Sequence, residues 1–190
     1  MNTLPRAWFG RDADVVAPDL LGKILLSVDD ESDVVSGRII EVEAYAEHDP
    51  ASHSFGRRTT RNQVMFGPAG HLYVYVSYGI HRCANVVTGM DGVGAAVLIR
   101  AVEPLTGIDA MHSRRGAVQP RDLANGPGKV CQAFGIGLAD YGLDLTDEAS
   151  PVIIVDDGTS PPHDPRIGPR IGLTKAIETP WRFRVPIRAS

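Results

Sequence analysis

No part of this chain approaches the ~20 consecutive apolar residues that a membrane-spanning helix needs. The opening Met1-Asn2-Thr3-Leu4-Pro5-Arg6 lacks the apolar core of a secretory signal. Cysteine is scarce: Cys83 and Cys131 are the only two and form no CxxC pair. They read as two buried, reduced thiols of a cytosolic protein. The expected location is therefore the cytoplasm, or the nucleoid if the source is bacterial. No GxSxG element occurs, and no Cys/His signature surrounds either cysteine, which argues against covalent acyl transfer. HExxH is absent, and so is the GxxxxGK[ST] spacing of a phosphate loop. Gly126, Gly128 and Lys129 are followed by Val130, so they read as a capped helix start able to receive a phosphate. There is no internal repeat.

What is present suits one well-buried core: 190 residues, 43% hydrophobic and 22% charged. The net charge of −4 is unevenly spread. Residues 1–52 carry −7, residues 53–129 carry +5, residues 130–164 carry −7 and residues 165–190 carry +5. Two basic segments able to meet on one surface are compatible with a polyanionic partner, although a charge block is also what any solvated face looks like.

Ala17 to Leu26 begins as a short helix and runs into a strand ending near Val28. Asp29 to Asp33 reads as a turn. Val34 to Tyr45 reads as a long strand rich in β-branched residues. Ala46 to Gly70 lacks periodicity and reads as a long loop with one helical turn, a length usually associated with function. Tyr73 to Ser77, Cys83 to Thr88 and Ala95 to Val102 give three more strands, and Pro104 to Ser113 a helix. Lys129 to Phe134 is a helix introduced by Asn125-Gly126-Pro127. Asp156 to Pro169 contains four prolines and reads as a rigid, irregular connection. The expected fold is one α+β domain over residues 1–190. Its sheet is curved and mainly antiparallel, open-barrel or roll-like, flanked by a few helices.

Three of five tyrosines fall within Tyr73-Val74-Tyr75-Val76-Ser77-Tyr78. Strand alternation puts Tyr73 and Tyr75 on one face, while Tyr78, before Gly79, stands at a hairpin tip. A ring platform beside a projecting wedge suits extraction of a base from a duplex; an aromatic-rich core strand is the plainer alternative. In Gly37-Arg38-Ile39-Ile40-Glu41-Val42-Glu43-Ala44-Tyr45, alternation places Ile39, Glu41, Glu43 and Tyr45 on one face. That face is either a solvated polar side or the floor of a cleft. In the second case a glutamate serves as a general base, and a cation such as Arg100 stabilises its charge. Glu47, His48, Asp49 and His53 form a loop cluster that lacks any metal-ligand spacing, so no metal or cofactor is expected. Arg57, Arg58 and Arg61, interleaved with Thr59, Thr60 and Asn62, suit phosphate contacts or an exposed loop without a partner.

Taken together, these blocks resemble the alkyladenine (3-methyladenine) DNA glycosylases. The resemblance begins at Asp19-Leu20-Leu21-Gly22-Lys23 and runs through the Glu41–Tyr45 strand, Ala51-Ser52-His53-Ser54, Gly70-His71-Leu72-Tyr73-Val74-Tyr75 and Cys83-Ala84-Asn85-Val86. It continues through Val97 to Pro104, Gly126 to Ala133, Arg170-Ile171-Gly172 and Trp181-Arg182-Phe183. It implies that Glu43, rather than Glu41, activates a water that attacks the sugar, and that Arg100 helps hold both. It implies that Tyr45, His53 and Tyr75 sandwich and orient an everted base. Tyr78 would intercalate, and Asn85 would disfavour guanine through its exocyclic amino group. Arg57, Arg58, Arg61 and Lys129 are candidate DNA-backbone contacts.

The implied reaction is hydrolysis of an N-glycosidic bond in double-stranded DNA carrying damaged purines, by a monomer with no obligate partner. Strand cleavage would need an amine nucleophile, and none of Lys23, Lys129 and Lys175 lies in the motif core. Against mammalian members of that family, the Glu43–His53 loop is one residue shorter. His81-Arg82 replace aromatic residues, and the Ser113–Asp122 loop is compact. These differences bear on substrate breadth: cationic 3-methyladenine-type lesions alone, or also neutral hypoxanthine and ethenoadenine. A non-catalytic module for damaged DNA or structured RNA is the alternative.

Overall fold

The computed structural model describes residues 2–28 and 34–186; the turn expected at Asp29 to Asp33 lies outside them. The chain opens with a two-residue strand β1 (Asn2–Thr3) and the helices α1 (Arg6–Phe9) and α2 (Ala13–Leu20). Next come β2 (Ile24–Val28), β3 (Val34–Tyr45), β4 (Leu72–Ser77), β5 (His81–Val87) and β6 (Ala96–Thr106). Helices α3 (Ile108–Arg115) and α4 (Pro127–Phe134) precede β7 (Val152–Asp156), β8 (Arg166–Gly168) and β9 (Arg182–Arg184).

Every strand pairing among the described residues is antiparallel, in the order β1-β7-β2-β3-β6-β5-β4, and the sheet curls into a half-barrel. The α+β fold class is as expected. β3 is the spine. One edge pairs with β6 from Ser36 to Tyr45; the other pairs first with β2 and then, at Glu41–Glu43, with β9, which β8 extends. Helix α2 packs on β3, and α4 lies across β5 and β6. The main core forms where Val16, Ala17 and Leu20 of α2 and Val130, Ala133 and Phe134 of α4 meet Val42, Ala44, Val97 and Ile99. No described helix is long and apolar enough to cross a membrane.

Four local expectations need correction. First, Ile39 does not share a face with Glu41 and Glu43. The β3–β6 register slips at Ile39/Glu41 and slips back at Glu41/Val42. One extra residue on β3 is thus compensated by one extra on β6, at Arg100. A bulge reverses which face the following side chains take, so Ile39 joins the core with Val42 and Ala44. Second, Pro104 is not helical. β6 runs on to Thr106, and Pro104 faces Gly37 at another register shift, where a missing N–H costs no ladder bond. The helix starts only after Gly107, whose φ of 71° turns the chain. Third, the proline-rich connection contains β8, which pairs with β9. Fourth, the helix expected from Ala17 is α2, which starts earlier, at Ala13, with Pro18 in its last turn.

Gly37 shows how tightly the spine is packed. A Cβ there would lie 2.4 Å from Val102 Cγ1 and 2.7 Å from the Glu103 carbonyl oxygen. Overpacking of this kind costs about 1–3 kcal/mol. Gly37→Ala is therefore expected to lower the unfolding free energy by about that amount in urea titration, and an unchanged midpoint would contradict the packing described.

Candidate active site

The bulged stretch of β3 carries Glu43 beneath a cleft of about 520 Å³, within the range of small-molecule sites. The Glu43 side chain is fully buried. Its carboxylate accepts three hydrogen bonds from three separate parts of the chain. The Tyr45 hydroxyl donates to Oε2 at 2.9 Å and Arg100 to the same oxygen at 3.1 Å, while the Ile171 backbone N–H donates to Oε1 at 2.8 Å. Burial first, and then the charge of Glu43, raise the Tyr45 pKa well above that of a free phenol, so its hydroxyl remains a donor. Arg100 also reaches Glu41 Oε1 at 3.0 Å, and Arg182 reaches that same oxygen at 2.7 Å. Tyr45, Arg100 and Ile171 all line the cleft and so form its floor over Glu43.

The cleft wall is aromatic. Tyr73 and Tyr75 stack with centroids 5.5 Å apart, and His53 stands edge-on to Tyr75 at 4.5 Å. His53 Nδ1 shares a 2.9 Å hydrogen bond with the Tyr73 hydroxyl. His53 lines the cleft, and burial first, then the positive charge of Arg61, lower its pKa below the ordinary histidine value. Burial pushes Tyr73 up to about 12. Asn85 is buried in the same wall, its amide nitrogen donating to the Tyr73 carbonyl at 3.0 Å.

β4 and β5 meet in a hairpin whose tip is Tyr78-Gly79-Ile80. Tyr78 is 83% exposed and Ile80 73%. Tyr78 also has a φ of +50°, a left-handed conformation that non-glycine residues adopt at a cost and that recurs at functional sites. The phenol leans toward the C-terminal segment: a Cβ added to Gly172 would lie 3.7 Å from the Tyr78 hydroxyl.

A family model described as methylpurine-DNA glycosylase matches residues 7–188. The chain belongs to that family. Relatives bearing the name "Putative 3-methyladenine DNA glycosylase" are similar over nearly the whole chain. One from Burkholderia lata is 51% identical over 96% of this chain and 87% of its own. One from Methanoculleus marisnigri is 50% identical over 95% and 94%, and one from Rhodopseudomonas palustris 52% over 95% and 83%.

In this glycosylase-family chain the cleft gathers Tyr45, His53, Tyr75, Tyr78, Asn85 and Arg100 above Glu43. Arg61 joins them, its guanidinium 5.5 Å from the Tyr75 ring centre. Arg57, Arg58 and Lys129 do not line the cleft. Arg57 and Arg58 are exposed beside it, Arg58 lying 6.0 Å from the Phe66 ring centre. Lys129 donates to Asn125 at 2.6 Å on the first turn of α4, whose Pro127 does reach the cleft. The loop cluster disperses. Glu47 accepts the Gly94 N–H, His48 stands edge-on to Trp181, and Asp49 is buried against Arg170. Among the described residues no three His, Cys, Asp or Glu side chains converge as a metal site requires.

Reading from sequence missed the Asp49–Arg170 pair. Both carboxylate oxygens of Asp49 accept from Arg170, whose guanidinium also donates to the Ala44 carbonyl at 2.9 Å and covers the Tyr45 ring at 4.6 Å. The pair fixes the segment whose next residue, Ile171, supplies a donor to Glu43. The Arg170-Ile171-Gly172 block gave the only hint, and nothing in it names Asp49 as partner.

Removing one member of a buried pair strands the other charge, at a cost of roughly 3–5 kcal/mol. Asp49→Ala is expected to lose that much unfolding free energy in urea titration; a loss below about 1 kcal/mol, as for an exposed pair, would contradict the burial. His53 gives a pH signature. Unfolded histidine titrates near 6.5, and folded His53 takes up its proton only at lower pH. Its stabilising contribution is therefore present above 6.5 and is lost as pH falls from 6.5 through the folded value. Between pH 7.5 and 5.5, wild type should lose more stability than His53→Gln; equal losses would contradict the depressed value.

Proposed function

We propose that this protein is a base-excision-repair DNA glycosylase. It everts alkylated or otherwise damaged purines from duplex DNA and hydrolyses the N-glycosidic bond, releasing free base and leaving an abasic site. The observation that carries this reading is a buried carboxylate held by three donors under an aromatic cleft, beside an exposed tyrosine on a hairpin tip. A carboxylate has about four lone-pair sites, and Tyr45, Arg100 and Ile171 take three. The fourth accepts an O–H of the attacking water. Since the floor covers Glu43, entry of the nucleotide shifts the Tyr45 ring and admits that water.

Cleavage passes through a sugar with oxocarbenium character. The negative charge of Glu43 stabilises it, and Glu43 takes the water's proton as the oxygen bonds to the anomeric carbon. The electrons of the breaking bond go to the purine. Alkylation at N3 or N7 has already made that purine cationic, so it leaves neutral. Tyr45, His53 and Tyr75 hold the base; stacking on an aromatic ring is worth about 1–3 kcal/mol, which offsets much of the unstacking cost. Tyr78 fills the vacated space, and Asn85 crowds the guanine amino group. Arg61, flanked by Arg57 and Arg58, and Lys129 on the far side at α4, suit backbone phosphates. Lys23, Lys129 and Lys175 are absent from the cleft lining, which supports hydrolysis without strand cleavage. Every group named comes from one chain, so a monomer suffices.

The test is base release from a duplex with one 3-methyladenine-type lesion. Glu43→Gln should slow release by roughly 10²–10⁴-fold, the usual worth of a general base, while lesion-DNA affinity is largely kept. Undiminished release by the variant would remove Glu43 from the mechanism; a wild type that binds the duplex but releases no base would favour a binding module. Tyr78→Ser should weaken binding to lesion duplex by roughly 1–3 kcal/mol and to undamaged duplex by less; equal weakening would deny it the role of wedge.

A further inference from the structure

Two arginines on this molecule face each other with no acid between them. Arg166 of β8 and Arg184 of β9 are direct cross-strand partners. Like charges at such positions are destabilising, because directly opposite side chains stand only about 5 Å apart. Neither arginine has an ion pair or side-chain hydrogen bond among the described residues. The one acid in register with them is Glu41, opposite Arg184. Its Oε1 is already shared by Arg100 and Arg182. This face of the sheet therefore carries four arginines against the carboxylates of Glu41 and Glu43, and the uncompensated pair is its outermost part.

The position of the pair is informative. Direct partners in an antiparallel ladder point to one face, so Arg166 and Arg184 share the face that Glu41 and Glu43 occupy. Strand polarity then gives the direction. Running up β4 from Tyr73 toward Tyr78 is running down β3 from Glu43 to Glu41, up β9 from Arg182 to Arg184 and down β8 from Gly168 to Arg166. The arginines lie on the wedge side of the Glu43 row, across the cleft from the Tyr78 hairpin.

Resting on the proposed glycosylase reading, we infer that Arg166 and Arg184 together bind a backbone phosphodiester of the duplex whose nucleotide enters the cleft. A phosphodiester presents two anionic oxygens, and guanidinium forks from two strands can each take one. The repulsion that the register imposes on the free protein is relieved when the anion arrives. The wedge would then press one side of the distorted step while this pair holds backbone on the other. None of the arginines singled out from sequence as backbone contacts belongs to this pair.

The experiment is equilibrium binding of full-length protein to a short undamaged duplex and to a lesion duplex, from about 50 to about 200 mM salt. Each neutralised phosphate contributes about 0.9 to the slope of log affinity against log salt. The R166A/R184A variant should lower that slope by about 0.9 for one shared phosphate, weaken both duplexes by the same factor, and melt no lower than wild type. R166K/R184K, which keeps the charges, should restore the slope. A slope unchanged in the alanine variant overturns the inference, as does a loss that the lysine variant fails to restore, which would mark damage to the hairpin itself. If wild type releases base while the alanine variant keeps its full slope, this inference fails and the glycosylase reading stands. If wild type binds no duplex, both fail.

Discussion

Burying a carboxylate costs several kcal/mol unless its lone pairs find donors, and Glu43 finds them only in the finished fold. Tyr45 comes from the same strand, Arg100 from the neighbouring strand and the Ile171 N–H from the C-terminal segment. The wider cluster obeys the same constraint. Glu41, Glu43 and Asp49 are matched by Arg100, Arg170 and Arg182, all largely or wholly withdrawn from solvent. Three acids against three guanidinia leave that buried group neutral by count. Arg100 serves both glutamates, and Arg170 serves Asp49, the Ala44 carbonyl and the Tyr45 ring, while Arg182 adds a second cation to Glu41.

This arrangement explains how a segment with little regular structure can form one side of a cleft. Between β8 and β9 the chain makes no strand or helix, and ordinary loops of that length move. Here Arg170 is tied to Asp49 and Ala44 and lies over Tyr45, Ile171 is tied to Glu43, and Trp181 donates its N–H to the Thr179 carbonyl while its own carbonyl accepts from Ala44. The segment is held at its two ends by the elements that carry the acid. Gly172 and Leu173, next to the Ile171 anchor, line the cleft, with Gly172 beside the Tyr78 hydroxyl.

Much of this was legible in the sequence because it is local. The run Tyr73 to Gly79 gives a strand and a turn from alternation and one glycine, and the structure has both, with Tyr78 exposed at the hairpin tip. The Glu41/Glu43 pattern correctly isolates two acids in an apolar strand. The same alternation fails at Ile39, because a bulge is a relation between two strands and leaves no mark on one of them. Pro104 misleads for a similar reason: whether a proline ends a strand depends on whether its partner needs an N–H there. Least legible is what depends on distance along the chain. Asp49 and Arg170 are 121 residues apart, and the Ile171 donor is a backbone group that every residue but proline possesses. The blocks shared with the glycosylase family marked the neighbourhood of these groups but not their geometry.

A net charge of −4 is ill-suited to a polyanion unless the charges are segregated along the sheet. The two acidic segments consume each other's surroundings. Lys23 pairs with Asp156, Arg38 with Asp157 and Arg6 with Asp144, so three of the four cations of residues 1–52 are spent on acids from residues 130–164, and the fourth, Arg11, pairs with Asp19. Two of those three pairs gather where β2 and β3 meet the end of β7, toward the edge at which β1 closes the sheet. The Tyr78 hairpin, β4 with β5, is the other edge. Between them the basic segments supply the cleft: His53, Arg61 and Arg100 from one, and Ile171, Gly172 and Leu173 from the other. The field that a ligand meets is local, set by charges within about 8–10 Å at ordinary salt. A chain that is acidic in sum can therefore still offer a polyanion an unpaired cation where the cleft lies, here Arg61, while its acid-paired cations Lys23 and Arg38 stand toward the opposite edge of the sheet.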